Sequence, residues 1–260
     1  MARLNQPITD WRSRKVWVIG ASSGIGAALA SALHKQGAMV AVSARSAVAL
    51  EDLCLAHPGM VAAPMDAVDP VQIQSTVQRL ESEVGLDVVV YCAGYYQPMR
   101  AQTFDLAALR RHWQVNYDGW LMVLEQVLPL LQGRGSGHLS ALSSVAAYRA
   151  LPKALAYGPT KAALTHLMQG LYVDLKPANI DVSVVSPGFV STPMTAQNDF
   201  QMPALISPDE AARCLLDGWA RGEFEIHFPK RFTRVMKVLS WLPWRWYFAI
   251  TRRLVSGDKP

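Results

Sequence analysis

The chain has 260 residues, of which 51% are hydrophobic and 17% are charged, and its formal net charge is +5. A disordered chain would be poorer in apolar residues and richer in charge, and three cysteines are too few for a small disulfide scaffold. A net charge of +5 is too small to indicate nucleic-acid binding, so we expect no nucleic-acid partner.

The beginning of the chain carries no pattern of a signal peptide. Residues 1–14 mix polar and charged residues, without an apolar run before a small-residue cleavage site. No stretch reaches the ~18 apolar residues of a spanning helix, and the nearest one, 235–250, is interrupted by Lys237, Pro243 and Arg245. Few cysteines and no export signal predict a cytoplasmic protein.

Short apolar runs alternate with amphipathic stretches along most of the chain. We predict strands at 16–19, 39–43, 60–64, 87–92, 138–143 and 180–186, and helices at 24–36, 48–55, 71–84, 106–131 and 154–176. The alternating residues Phe224, Ile226 and Phe228 predict a last strand. About seven strands alternating with helices predict an α/β protein with a parallel sheet covered on both faces. We expect one domain over 1–228 and a C-terminal extension over 229–260.

The net positive charge is concentrated toward the C-terminus. Residues 221–260 contain nine Lys/Arg and three Asp/Glu, a net charge of +6, whereas the rest of the chain has a net charge of −1. Apolar residues recur there at helical spacing, with basic residues largely on the other side: Phe232, Val235, Met236, Leu239 and Leu242 against Lys230, Arg231, Arg234 and Lys237. Two interpretations stay open, namely an interfacial membrane helix over 229–254 and a helix that packs on the core or on a second subunit.

A glycine-rich loop follows the first predicted strand. Glycines at a strand-to-helix turn allow a phosphate-bearing ligand to approach closely, and the helix N-terminus offers free N–H groups. A purely structural turn has the same composition, but its place at the start of a β-α-β series favours dinucleotide binding. The candidate residues are Gly20, Ser22, Ser23, Gly24, Ile25 and Gly26. The spacing G-x-x-x-G-x-G resembles the classical short-chain dehydrogenase/reductase family, which implies a Rossmann-type doubly wound fold.

Tyr157 and Lys161 are four residues apart, so a helix places them on one face. An ammonium close to a phenol lowers the phenol's pKa from ~10, which suits proton exchange near neutral pH. Pro159 is tolerated only in the first turn of a helix, which predicts that Tyr157 lies at a helix start. A surface tyrosine and lysine at this spacing are common, so the pair alone does not decide between catalysis and an unrelated pair.

Two further polar residues complete the pattern that the family resemblance implies. Ser144 lies thirteen residues before Tyr157; Ser143 and Ser144 can both satisfy loop backbone, and the resemblance assigns catalysis to Ser144. Asn116 falls inside a predicted helix, where asparagine is a poor helix former. Its residue type alone indicates a kink or a buried hydrogen bond, whereas the resemblance implies a catalytic asparagine whose backbone helps to hold a water linked to Lys161.

Weaker motifs agree with the resemblance. Ala93-Gly94 resembles the end of the family's Asn-Asn-Ala-Gly motif, but Tyr91 and Cys92 replace both asparagines, which puts the usual side-chain bracing of the sheet in doubt. The resemblance implies that Asp66 contacts the adenine and that a P-G-x-x-x-T segment contacts the nicotinamide through Pro187, Gly188, Val190 and Thr192. It further implies a mobile lid over the substrate at 194–203.

The nucleotide preference is expressed at the end of the second predicted strand. Enzymes that use NAD(H) place an acidic residue there to bind the ribose 2′-hydroxyl, but this chain has Ala44 followed by Arg45. A guanidinium suits a 2′-phosphate, although a solvated loop arginine is the ordinary alternative. The pattern favours NADP(H) over NAD(H).

The resemblance implies hydride transfer between NADP(H) and a carbonyl or secondary alcohol, with Tyr157 as acid or base. The apolar lid residues Phe200 and Met202 favour a small hydrophobic or lipid-like substrate. Six scattered histidines without a ligand spacing predict no metal site. The resemblance also implies a homodimer or homotetramer. Two other classes stay open: a nucleotide-binding scaffold or regulatory protein without turnover, and a peripheral membrane protein.

Overall fold

The computed structural model describes the backbone of residues 3–256 and side chains as far as Arg252. Its centre is a seven-stranded parallel sheet in the order β3-β2-β1-β4-β5-β6-β7. The strands are β1 (Lys15–Ile19), β2 (Met39–Ser43), β3 (Val61–Ala62), β4 (Val88–Tyr91), β5 (Gly137–Leu142), β6 (Ile180–Pro187) and β7 (Glu225–Phe228). The predicted fold class is therefore confirmed.

Helices cover both faces of the sheet. They are α1 (Gly24–Lys35), α2 (Ala47–Ala56), α3 (Pro70–Glu83), α4 (Leu106–Trp113), α5 (Gly119–Arg134), α6 (Tyr157–Leu175), α7 (Pro208–Arg221), α8 (Lys230–Trp241) and α9 (Trp244–Ser256). The single helix predicted over 106–131 is interrupted by a π-helical turn at Gln114–Asp118, which contains Asn116. Helix α6 begins at Tyr157 with Pro159 in its first turn, as predicted.

The core lies in two layers, one on each face of the sheet. Along β1, Val16 and Val18 pack with α1 and α7, whereas Trp17 and Ile19 pack with α3, α5 and α6. Successive side chains of a strand point to opposite faces. Both faces of this sheet are covered, and the central strands β1 and β4 are accordingly almost entirely apolar.

The order of strands reverses between β1 and β4, which opens a crevice at the carboxyl ends of these two strands. Gly20 follows β1 with a φ of +91°, and a Cβ atom added there would lie 2.4 Å from the amide nitrogen of Ala93. Only glycine accommodates this conformation and this approach. The glycine loop and the loop after β4 therefore form one continuous floor.

The C-terminal extension folds back onto the sheet. Thr233 and Met236 of α8 and Tyr247 of α9 are buried, and Lys237 pairs with Glu225 of β7 at 2.6 Å. Val235, predicted on the apolar face of this helix, is instead 55% exposed because α8 turns Phe232 and Met236 inward. Residues 257–260 of the predicted extension lie outside the described residues. Within 3–256, no helix combines the length and apolar character needed to cross a membrane.

Candidate active site

A cleft of about 680 Å³ opens at the carboxyl ends of β1 and β4. The N-terminus of α1 faces it, and Ser23 at the helix start makes no side-chain capping hydrogen bond. No acidic residue lies in the first turn. The free N–H groups and the positive end of the helix dipole are thus available to an anionic group in the cleft.

Every residue predicted to bind the nucleotide lines this cleft. They are Gly20, Ser22, Ser23, Gly24, Ile25, Gly26, Arg45, Asp66, Ala93, Gly94, Tyr157, Lys161, Pro187, Gly188, Val190 and Thr192. A Cβ atom at Gly26 would lie 2.3 Å from the carbonyl oxygen of Gly20, so side chains are excluded from the tightest part of the loop. The close backbone, the uncapped helix and the length of the cleft fit an extended dinucleotide.

Arg45 places a positive charge at the end of the cleft beyond β2. Arg45 is exposed there, and it makes no ion pair with any described residue. At the next strand end, Asp66 accepts a hydrogen bond from the amide of Val68 at 3.2 Å, which fixes its carboxylate at the cleft wall. A free guanidinium without a neighbouring ion-pair partner fits a phosphate better than a ribose hydroxyl.

Ser144, Tyr157 and Lys161 meet in the middle of the cleft. Ser144 follows β5, and its hydroxyl accepts a hydrogen bond from the amide of Ala146 at 3.1 Å. The same hydroxyl acts on the Tyr157 phenol and lowers its pKa. Lys161 is buried one helical turn after Tyr157 and donates to the carbonyl of Leu142 at 2.7 Å. Three of the four predicted catalytic side chains therefore face one space.

The pKa of Tyr157 moves opposite to the sequence prediction. Burial raises it to about 12, against the lowering effect of the hydrogen bond from Ser144. Burial also shifts the neighbouring Lys161, whose pKa falls to about 8 because desolvation disfavours the ammonium. The predicted lowering of the tyrosine pKa is wrong, because desolvation of the phenol outweighs the lowering effect of Ser144.

Asn116 is fully buried in the π-helical turn and does not line the cleft. Its Oδ1 accepts from the amide of Tyr95 at 2.7 Å, and its Nδ2 donates to the carbonyl of Tyr95 at 3.0 Å and to Thr160 Oγ1 at 3.1 Å. The buried hydrogen bond expected from the residue type is confirmed. The side chain ties the loop after β4 to the start of α6.

His112 supports the loop beside the site and was not predicted from the sequence. Its Nδ1 donates to the carbonyl of Ala108 at 2.7 Å, and its Nε2 accepts from the amide of Gln97 at 3.1 Å. The ring lies 6.5 Å from the Tyr157 ring, edge-on. Burial lowers the pKa of His112, so the imidazole stays neutral in this position. His112 lies four residues before Asn116, and both side chains hold the loop that starts at Tyr95. This spacing, which places the two on one face of a helix, could have indicated His112 from the sequence.

Tyr91, which replaces one of the two asparagines of the family motif, connects the sheet to a neighbouring element through its side chain. Its hydroxyl donates to the carbonyl of Val115 at 2.7 Å, so β4 is tied directly to the π-helical turn. Gly119 is required nearby, because a Cβ atom there would lie 2.3 Å from the Tyr91 hydroxyl. Cys92 beside it has a pKa raised by burial to about 12, which leaves an unreactive thiol.

A second cavity, of about 510 Å³, adjoins the cleft. Ser144 and Tyr157 line both spaces, so the two hydroxyls lie at their boundary. The apolar wall includes Val145, Leu151, Phe189, Phe200, Phe232 and Met236. The two residues from α8 were predicted only as parts of an amphipathic helix, because nothing local in a sequence shows which cavity a distant helix closes.

The predicted lid over 194–203 lies across this second cavity. Phe200 lines it, and Asp199 is joined to Lys153 by contacts of 2.6 and 2.8 Å. The ion pair holds the pKa of Asp199 below its usual value. In the part of the chain that the structure describes, no cluster of three His, Cys, Asp or Glu side chains is arranged to hold a metal ion.

Comparison with known proteins extends these observations. A sequence model described as short chain dehydrogenase matches residues 14–202. An uncharacterized oxidoreductase of Myxococcus xanthus is 34% identical over 248 residues, covering 93% of this chain and 97% of that protein. Another, of Staphylococcus haemolyticus, is 30% identical over 80% of this chain and 92% of its own length. The crystal structure of a short-chain dehydrogenase from Streptomyces avermitilis superposes with a TM-score of 0.80 at 26% identity, covering 95% of this chain and 99% of that one.

Proposed function

This chain belongs to the short-chain dehydrogenase/reductase family of oxidoreductases, and on that premise we propose that it transfers hydride between NADP(H) and a hydrophobic ketone or secondary alcohol. One observation carries the proposal. The hydroxyls of Ser144 and Tyr157 lie where the dinucleotide-shaped cleft meets a cavity with an apolar wall, so a carbonyl that enters the cavity reaches both proton-bearing groups and the cleft.

The proposed chemistry assigns one task to each of the four predicted catalytic residues, Asn116, Ser144, Tyr157 and Lys161. In ketone reduction, Ser144 donates a hydrogen bond to the carbonyl oxygen and Tyr157 delivers the proton. The nicotinamide, when bound, supplies the hydride. Lys161 holds positive charge beside the phenol, and Asn116 fixes the loop and the helix start that carry these groups. Alcohol oxidation uses the same groups in reverse.

The raised pKa of Tyr157 supports its assignment as a proton donor. A phenol with a pKa of about 12 remains protonated at neutral pH, so it carries the proton that ketone reduction consumes. Oxidation requires the phenolate instead, and the phenolate fraction falls about tenfold for each unit that the pH lies below the pKa. The site therefore favours reduction near neutral pH.

The preference for NADP(H) rests on the end of β2. Arg45 lines the cleft, and alanine rather than an acidic residue stands at position 44. A 2′-phosphate gains a charge-assisted hydrogen bond from a guanidinium, whereas the 2′-hydroxyl of NAD(H) is uncharged and gains less. NADP(H) is the proposed cofactor for this reason.

The substrate class follows from the second cavity. A volume of about 510 Å³ is within the range of sites that enclose small organic ligands. Its wall is mostly aromatic and aliphatic. Ser144 and Tyr157 lie at its boundary with the cleft, and its other polar residues are Tyr96, Lys153, Thr195, Asn198 and Gln201. A largely apolar substrate with a carbonyl or hydroxyl group therefore fits it.

An enzymatic screen tests the proposal. The purified protein is mixed with NADPH or NADH and apolar ketones of graded size, and with NADP⁺ and the matching alcohols, while absorbance of the reduced nicotinamide is followed. We expect NADPH consumption that rises as the ketone fills the cavity. Tight NADPH binding without turnover on any member of the panel would favour a nucleotide-binding scaffold and overturn the assignment.

A further inference from the structure

The outward faces of α8 and α9 form an aromatic–basic surface. It consists of Val235, Val238, Trp241, Trp246, Phe248 and Ile250 together with Arg231, Arg234 and Arg245. Seven of the nineteen large apolar side chains exposed in the described part of the chain lie in this short region. Trp241 is 86% exposed and Trp246 is 65% exposed. Concentrated exposure of this kind marks an interaction surface.

The two helices are fixed to the core by their other faces. Tyr247 is buried, and its hydroxyl donates to the carbonyl of Ala150 at 2.5 Å. The guanidinium of Arg149 lies 3.9 Å from the ring centre of Trp244 and 4.6 Å from that of Tyr247. The outward aromatic side chains are thus presented by helices that already have a buried anchoring face.

The charge of the surface indicates the partner. Residues 229–256 contain seven Lys/Arg and no Asp or Glu. Lys230 and Lys237 pair with glutamates of the β7 region, whereas the three exposed arginines of the surface make no ion pair within residues 3–252. Exposed tryptophans beside unneutralised arginines are typical of a surface that lies on anionic lipid headgroups.

A second copy of the chain suits this surface poorly. The common two-fold interface pairs a patch with itself, which would bring two sets of arginines together without an acidic residue from either helix. The same positive charge is attractive toward an anionic bilayer, and the tryptophans suit its interfacial region. Charge complementarity therefore favours lipid over self-association.

We propose that the aromatic–basic surface docks the protein on an anionic membrane, so that its hydrophobic substrate reaches the second cavity from the lipid phase. Helix α8 connects the two: its outward face carries Val235 and Val238, and its inward face contributes Phe232 and Met236 to the cavity wall. Docking thus places the cavity one helix thickness from the lipid. The route of the substrate rests on the proposed function, whereas the docking itself does not.

Vesicle co-sedimentation of the full-length protein tests the docking. We expect binding to vesicles that contain phosphatidylserine, weaker binding to pure phosphatidylcholine, and loss of binding at high salt. The triple variant Arg231→Gln/Arg234→Gln/Arg245→Gln should bind anionic vesicles about 100-fold more weakly. The variant Trp241→Ala/Trp246→Ala should lose at least about tenfold through its smaller apolar contact.

Matched controls use exposed residues elsewhere. Arg110→Gln/Arg213→Gln removes exposed arginines from other helices, and Leu55→Ala/Phe104→Ala removes exposed apolar side chains; both should bind vesicles as the unmodified protein does.

Equal sedimentation of all variants would overturn the proposal. So would a drop in oligomer mass of the tryptophan variant in analytical ultracentrifugation without any vesicle binding, because the surface would then be a subunit interface. Turnover of water-soluble ketones without vesicle binding defeats only the docking, and vesicle binding without turnover on any ketone defeats only the enzymatic assignment.

Discussion

The Lys161 ammonium lies 5.6 Å from the centre of the Tyr157 ring, yet it donates its hydrogen bond to the carbonyl of Leu142. The two groups share one buried corner at the start of α6, and burial drives both toward their uncharged forms. The tyrosine pKa rises to about 12 and the lysine pKa falls to about 8. The site therefore holds a protonated phenol beside a lysine that titrates close to neutral pH.

The first prediction concerns the pH dependence of ketone reduction. The kcat/KM should be constant from mildly acidic pH to about 8 and decline above it, because Lys161 loses its charge there. Unfolding linked to Lys161 does not cause this decline in kcat/KM. The pKa of Lys161 is about 8 in the folded state and 10.5 for an ordinary lysine, so the unfolded chain binds more protons between these pH values. The contribution of Lys161 to the free energy of unfolding therefore rises with pH over this window. Steady-state rates across pH check this, with thermal unfolding midpoints at each pH as the control. A profile without a break near 8 would contradict it.

The second prediction concerns Arg45. Arg45→Ala should lower kcat/KM for NADPH by about 30-fold, since a charge-assisted hydrogen bond is worth roughly 2 kcal/mol, and should leave NADH little affected. The ratio of the two efficiencies measures the preference. Arg213→Ala, at an exposed arginine on α7, is the matched control. An unchanged ratio in the Arg45 variant would remove the assignment of NADP(H).

The third prediction concerns the contribution of α8 to the substrate cavity. Phe232→Ala should raise KM for bulky apolar ketones about tenfold or more, because the lost aromatic contact is worth ~1.5–3 kcal/mol, and should change KM for small ketones less. Met236→Ala should act in the same direction. Kinetics on a size-graded series check this, with Val173→Ala, 69% exposed on α6, as the control. Equal effects on large and small ketones would show that α8 supports the fold and does not contact substrate.

The fourth prediction concerns the bracing by Tyr91. Tyr91→Phe should lower the free energy of unfolding by about 1–2 kcal/mol, because the buried carbonyl of Val115 loses its donor. Tyr117→Phe is the control, since the Tyr117 hydroxyl has no hydrogen-bond partner among the described residues. Urea unfolding of both variants measures the difference. Equal stability of the two would show that the hydrogen bond from Tyr91 contributes nothing net.

Local sequence patterns predicted much of the fold. The strand Met39–Ser43 has the predicted bounds, because a strand buried on both faces is recognisable as a short apolar run between polar neighbours. Pro159 likewise fixes the start of α6 from one residue's covalent geometry. Cleft residues were predictable too, but those after the glycine loop were predicted from motifs that resemble the short-chain dehydrogenase/reductase family.

Properties set by contacts across the molecule were not predictable. The π-helical turn at Asn116 accompanies hydrogen bonds to Tyr95 and Thr160, which are distant in sequence. The spacing of Tyr157 and Lys161 suggested a lowered phenol pKa, but burial, which depends on the whole site, decides the direction. Helical spacing grouped Val235 with Phe232, although only the packing of α8 on the sheet determines which side is exposed.

The most direct test is the turnover of Tyr157→Phe with NADPH and an apolar ketone on which the unmodified protein is active. Phenylalanine keeps the ring and removes only the proton donor, so we expect kcat to fall by about 10²–10⁴-fold. The dissociation constant for NADPH, measured by fluorescence titration, should change little and shows that the cleft is intact. A variant that binds NADPH normally and keeps kcat within roughly tenfold of the unmodified protein would contradict the assignment of Tyr157 as the proton donor.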